Sequence, residues 1–220
     1  MSIWIPEQAV VVLGSSNQPD IEAELDACAQ DGVPVLKRYG GGGTVLLYEG
    51  CAIVSLGVWV KQHYQNKLYF DRLNQAVIDA LGLKWPKLNA LGQRGLSDIT
   101  YGDLKVAGTS LFRSRNYLLY QASLLVDLRP ELMSQYLKHP SREPDYRAGR
   151  SHKDFLIGLS SIESGLTSEQ CSEQLTTFLP HSVRKTLGDE LVAPIPDQFA
   201  ALAARVERSA LESTAAIRVR

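Results

Sequence analysis

The chain has 220 residues, 45% of them hydrophobic, and a formal net charge of −1. That length suits one large domain, and a near-neutral balance gives no reason to expect a nucleic-acid binder. Three cysteines (Cys28, Cys51 and Cys171) are too few and too scattered for a disulfide framework or a thiolate metal cage. The start "MSIWIPEQAVVVLG" lacks the basic, then apolar, pattern of a secretory signal, and no apolar run approaches the ~20 residues that span a bilayer. A cytoplasmic location, with no membrane and no nucleic acid among its partners, is the expectation.

In chain order, "AVVVL" (Ala9 to Leu13) reads as a buried strand stopped by the turn "GSSNQP". Ile21, Leu25 and Cys28 recur at spacings of four and three, which predicts one helix capped by Asp20 and closed near Gly32. The strand "VPVLKR", a run of four glycines, and the strands "TVLLY" and "CAIVSLGVWV" follow. Glu49-Gly50 between the last two predicts an antiparallel hairpin. Leu68, Leu73, Val77, Ile78 and Leu81 share one helical face ending near Gly82. After "LGQRG" come the strands "SDITYG" and "LKVAGTSL", turning at Gly102-Asp103, and then the strand "YLLYQASLLV". "RPELMSQYLK" reads as a short helix, "TSEQCSEQLTTFL" as a longer one opened by Thr167, and "PDQFAALAARVERSALES" as an amphipathic tail helix. This order predicts an α+β fold with a mixed, largely antiparallel sheet and flanking helices, in a single domain over residues 1–220.

The stretch "RYGGGGTV" (Arg38 to Val45) interrupts two apolar runs at a cost of ~0.5–1 kcal/mol for each glycine held in a regular element. A P-loop would need a lysine and then a helix, and a dinucleotide fingerprint would need a helix directly after the glycines; a strand follows here instead. A plain connection is one reading. Glycines between core strands with an arginine at the entrance fit an anion-holding backbone cradle better.

A second motif, "DLKVAGTS" (Asp103 to Ser110), puts a lysine in a strand before a small-residue turn. Together the two motifs resemble the lipoate–protein ligase A family, within the biotin and lipoate protein ligases. That family carries an "RRxSGGGAV" loop and a "K-V-[SA]-G-[SN]-[AS]" segment with its central lysine. "VVVLGSSNQP", "SDITYGDLKVAG", "YRAGRSHKDFLIGLSS" (similar to the family's "RSRVTNL" segment) and "LTSEQCSEQLTTFL" extend the likeness from about Ala9 to Leu179. The resemblance implies the class II synthetase-like biotin/lipoate ligase catalytic fold. It also implies activation of lipoate or octanoate with ATP and Mg²⁺ as an acyl-adenylate, then transfer to a lysine of a carrier domain, of the 2-oxoacid dehydrogenase E2 or glycine cleavage H protein type.

On that reading Lys105 bridges the acyl carboxylate and the α-phosphate. Arg38, Gly40, Gly41, Gly42, Gly43, Gly108 and Ser110 line the substrate and nucleotide site. Asp98 stands near nucleotide and Mg²⁺, where carboxylate oxygens suit the ion. Asp103 belongs to the turn, and an apolar tunnel takes the acyl tail. Leu47 and Tyr48 stand where the family's loop strand carries a histidine–aspartate pair. The small C-terminal accessory domain of many such ligases has no counterpart, which implies a separate accessory-domain protein as partner.

Two alternatives stand beside the ligase. One is an ATP-independent octanoyltransferase taking its acyl group from a carrier-protein thioester; Cys51, just beyond the glycine loop, is then the candidate nucleophile. The strand "YLLYQASLLV", where one transferase subfamily places its cysteine, contains none. The other is a non-catalytic lipoyl-binding homologue. A biotin ligase fits less well, because its glycine loop carries more arginines. Cys28 and Cys171 read as structural, and His63, His139, His152 and His181 as surface or local hydrogen-bonding residues.

Overall fold

The computed structural model describes residues 1–196. Nine strands form two sheets: β1 (Ser2–Trp4), β2 (Val10–Leu13), β3 (Val35–Lys37), β4 (Val45–Leu47), β5 (Cys51–Trp59), β6 (Leu91–Arg94), β7 (Asp98–Tyr101), β8 (Leu104–Ser114) and β9 (Tyr117–Leu125). The larger sheet has the order β1-β5-β9-β8-β7-β6 with every neighbour antiparallel. The smaller has the order β3-β2-β4, with β2 parallel to β3 and antiparallel to β4. The α+β, largely antiparallel architecture is as expected, with the edge strands β1 and β6 added.

Side chains alternate across a strand with period two, so β5 and β9 face two ways. Ala52, Val54, Leu56 and Val58, with Leu118, Tyr120 and Leu124, pack under the helix α3 (Asn66–Gly82) and the long helix Ser168–Leu191. Cys51 and Ile53 point the other way and join Val11, Val12, Leu46 and Leu47 of the small sheet, with Met133 and Leu137 of the helix α4 (Pro130–Tyr136) and the residue after it. A cleft opens where these two layers part.

Three expectations need correcting. β4 and β5 do not form a hairpin: they belong to different sheets. Gly50 lets the chain cross between them. Its carbonyl accepts from the amides of Val126 and Asp127, and a Cβ there would lie 2.5 Å from the Asp127 carbonyl oxygen.

The helix over residues 20–32 is broken into α1 (Pro19–Glu22) and α2 (Leu25–Gln30). Gln18, not Asp20, caps the first piece, and Ala23 is extended. The break comes from α4. The Glu24 amide donates to the Tyr136 carbonyl and the Lys138 amide to the Glu22 carbonyl, so tertiary hydrogen bonds outbid local helix propensity. Glu22 is consequently buried, and Ile21 and Leu25 are exposed.

The helix opened by Thr167 does not stop at Pro180 but runs to Leu191. Its capping box pairs Thr167 with Gln170, and Gly188 takes a left-handed φ of 65° near its end. Leu175, Leu179, Val183, Leu187 and Leu191, each four residues apart, keep one apolar stripe buried, and that burial outweighs the one hydrogen bond the proline removes. The expected tail helix lies almost wholly outside the described residues. No helix among those described is long and apolar enough to cross a membrane.

Candidate functional site: a two-armed cleft with a lysine at its elbow

One rim of the cleft is the glycine loop. Arg38 closes it from inside: Nη2 donates to the carbonyls of Gly41 and Gly43, both at 2.8 Å, and Nη1 to that of Val12 at 3.3 Å. Burial lowers its pKa to about 10, which leaves it cationic at neutral pH. The loop also crosses the turn after β2. The Ser15 amide donates to the Gly40 carbonyl, and a Cβ on Gly14 would lie 2.0 Å from the Gly42 carbonyl oxygen, a contact only glycine permits.

The four loop glycines have different surroundings. Gly40 is buried, where a Cβ would stand 3.1 Å from the Ser110 hydroxyl, and Gly41 is exposed with its carbonyl taken by Arg38. Gly42, at φ 97°, and Gly43 line the cleft.

The opposite rim is the β7–β8 pair. A bulge shifts its register between Ile99 and Thr100, so that Asp98 faces Gly108 while Thr100 faces Lys105. Bulges re-aim side chains. Here Lys105 lies over Gly108, where a Cβ would be 3.1 Å from Nζ, and reaches Asp98 at 2.8 Å. Asp98 is only 7% exposed, and its second oxygen accepts from the Tyr146 hydroxyl at 2.8 Å. Burial and the neighbouring Asp98 charge push the Tyr146 phenol pKa strongly upward, so it remains a donor. Ser110 also lines the cleft from β8.

The segment before the helix α5 (His152–Phe155) covers the floor. Arg147 is 6% exposed, stacks at 4.8 Å over Phe155, donates from Nε to the Arg150 carbonyl and lies 3.4 Å from Glu143. Burial lowers its pKa, with Glu143 partly offsetting the shift. Its Nη2 and the Thr44 hydroxyl are buried without a protein partner. An unmade hydrogen bond on a buried polar group costs about 1–3 kcal/mol, so such pairs ask for an explanation. His152, expected at the surface or in local hydrogen bonding, lines the narrow arm; burial and then Arg147, His139 and Lys105 push its pKa down to about 4.

The cleft has two arms. The wider, of about 270 Å³, runs past Arg38, Gly42, Gly43 and Asp98. The narrower, of about 80 Å³, is walled by Leu46, Leu125, Met133, Leu137 and Leu156. Thr44, Lys105, Gly108, Ser123 and Arg147 belong to both, so the cations stand at the elbow. This arrangement can place an apolar chain in the narrow arm with its anionic head at Lys105, and a second anion along the glycine loop.

Other expectations change. Cys51 is fully buried in the core, lines neither arm, and burial pushes its thiol up to about 12, the reverse of what a nucleophile needs. Tyr48 is a buried strut whose hydroxyl donates to the Asp127 carbonyl and accepts from the Arg129 amide, while Leu47 lines the wide arm. Asp98 is the only carboxylate of the wide arm among the described residues and is engaged by Lys105 and Tyr146. No group of three or more His, Cys, Asp or Glu side chains among those residues could hold a metal. A resident divalent cation does not fit that donor set. Sequence reasoning passed over Thr44, Tyr146 and Arg147. The first closes the glycine motif and the others lie in "YRAGR", but Tyr146 meets Asp98, 48 positions away, and Thr44 and Arg147 come to one cleft only through the packing of distant segments.

The sequence model of the lipoyl protein ligase A/B catalytic domain matches residues 1–179. Lipoate-protein ligase A of Blochmanniella floridana is 24% identical over 189 residues, covering 84% of this chain and 54% of that protein. The mitochondrial lipoyl amidotransferase LIPT1 of Homo sapiens is 24% identical over 169 residues, covering 76% and 43%. The chain thus spans about half the length of these curated relatives. A bipartite lipoate protein ligase of Thermoplasma acidophilum, solved in a study that includes its E2 lipoyl domain, superposes with a TM-score of 0.64 at 20% identity, over 90% of this chain and 76% of that one; this likeness speaks for the fold. The chain belongs to the lipoyl protein ligase A/B catalytic domain family.

Proposed function

We propose that this chain activates a free lipoate or octanoate with ATP and passes the acyl group to a lysine of a lipoyl-carrier domain. The observation that carries the reading is Lys105 at the elbow, between a narrow arm with a wall of Leu46, Leu125, Met133, Leu137 and Leu156 and a glycine-lined arm suited to phosphate. Bringing a carboxylate against a phosphate opposes two negative charges, and a positioned cation lowers that barrier. A carboxylate oxygen attacks the α-phosphorus and pyrophosphate leaves. The carrier amine then attacks the acyl carbonyl, AMP leaves, and the amine's proton goes to solvent or to the departing phosphate. Mg²⁺ accompanies ATP as part of the substrate.

Lys105 would exchange Asp98 for the substrate anions, and Tyr146 would keep Asp98 from following it. The carrier is of the 2-oxoacid dehydrogenase E2 or glycine cleavage H protein type. The test is the mass gain of a candidate lipoyl domain incubated with the chain and octanoate plus Mg²⁺-ATP, against octanoyl-carrier protein without ATP. Acyl gain in the first arm, retained in Cys51→Ser, is the expected result. Gain only in the second would make the chain a transferase.

A further inference from the structure

The break between α1 and α2 turns that segment inside out. Ile21 and Leu25 are 46% and 38% exposed, while Glu22 is 3% exposed and lines the narrow arm. A glutamate is almost never buried so fully unless it is paired. Among the described residues Glu22 makes no ion pair, and its one side-chain partner is the Ser141 hydroxyl. The Lys138 ammonium, from the same arm, donates instead to the Asp20 carbonyl at 2.8 Å. The second Glu22 oxygen has no protein partner and is not among the buried side-chain atoms sealed off without one, so it is open to the arm. We propose that Glu22 is a specificity-determining residue: it makes the narrow arm prefer a medium-chain acid whose tail carries a hydroxyl or thiol donor over one without such a donor. The proposal rests on the acyl-transfer reading and deepens it.

The backbone fixes the aim of this side chain. Ala23 bridges to Leu137, the Lys138 amide donates to the Glu22 carbonyl, and the Glu24 amide donates to the Tyr136 carbonyl. The segment cannot rotate Glu22 outward without breaking these bonds. His152, held neutral, brings no cation to the arm at neutral pH. Leucines and Met133 still take a hydrocarbon stem, so the arm reads one polar point on an otherwise apolar chain. A plain tail laid beside the carboxylate strips its remaining water and returns no bond. An O–H or S–H donor at that point returns a charge-assisted hydrogen bond, and the difference sets the preference.

Titration calorimetry into the full chain, without nucleotide, tests this with two sets of acids. One set is octanoate against octanoates hydroxylated at the fifth to the eighth carbon; the other is oxidised against reduced lipoate. At least one donor-bearing acid should outbind its donor-free counterpart by about tenfold or more. Whether a hydroxylated octanoate or reduced lipoate does so identifies the donor as hydroxyl or thiol. Glu22→Gln, which keeps an acceptor without the charge, should cut the preference to about threefold. Glu22→Leu should abolish it while octanoate binds at least as tightly as before, and the near-isosteric glutamine variant serves if leucine upsets the fold. A merely structural role would weaken every acid alike and leave the preference unchanged, which overturns the proposal. So does the absence of any preference in the unaltered chain, and either result leaves the ATP-dependent reading standing. A preference that behaves as expected, with no acyl transfer to a carrier in Mg²⁺-ATP, overturns that reading instead. No binding of any acid overturns both.

Discussion

The two rims of the cleft carry their cations differently. Arg38 on the glycine rim gives three hydrogen bonds to main-chain carbonyls, two of them in its own loop, so its charge shapes backbone. Lys105 on the hairpin rim makes its ion pair with a single carboxylate, which a second side chain also holds. A lysine is a point charge on a flexible stem, whereas a guanidinium is a rigid fork. The first can trade one anion for another during a reaction; the second builds the scaffold that makes the trade possible. Both residues look alike in sequence as cations beside small-residue motifs, but only one is free to act.

The largest effect expected of this difference falls on Lys105. Lys105→Met should cut acyl transfer by a factor of about 10²–10³, the loss of one cation at a developing charge, while circular dichroism stays native. Near-normal turnover, read by mass spectrometry of the carrier, would dissolve the contrast between the rims. Arg38→Met is the reverse experiment. It should lower unfolding free energy by about 2–3 kcal/mol through the carbonyls it abandons, and ligand affinity should fall only because the loop has loosened. Urea titration beside calorimetry decides: lost affinity at unchanged stability would put Arg38 on the ligand.

Gly108→Ala sharpens the hairpin side. The new Cβ would meet Lys105 Nζ at 3.1 Å and Cε at 3.2 Å, both at the far end of a flexible side chain. The lysine should shift rather than the strand, costing about tenfold in rate but under ~1 kcal/mol of stability. Equal turnover in the two proteins would show that Lys105 tolerates displacement.

The smallest effect concerns pH. His152 has a folded pKa of about 4, below the ordinary value of 6.5, so the unfolded chain binds its proton first. Its contribution is therefore complete above about pH 6.5 and is lost as pH falls toward 4. The imidazole is partly exposed, and screening reduces the effect to about 1 kcal/mol. Urea midpoints at pH 7 and pH 5 should differ less in His152→Gln than in the unaltered chain; an equal difference would remove His152 from the cleft's charge balance.

By itself the sequence determined the class of fold, the central strands, the helix of residues 66–82 and the place of the glycine loop and lysine hairpin. Those features rest on local periodicity, turn chemistry and motif spacing, which neighbouring residues carry. Tertiary structure alone decided the rest. β4 and β5 look like a hairpin because Glu49-Gly50 is short, yet the carbonyl of Gly50 is claimed by β9's end, far along the chain. The helix of residues 20–32 breaks because α4 takes its backbone groups. Cys51 stands beside the glycine loop in sequence, but the period-two alternation of β5 buries its side chain among those of the small sheet. Thr44 and Arg147 meet at one elbow although 103 positions separate them (147 minus 44). Local sequence cannot encode which distant group will satisfy a buried donor, because that depends on which layers pack and where they part.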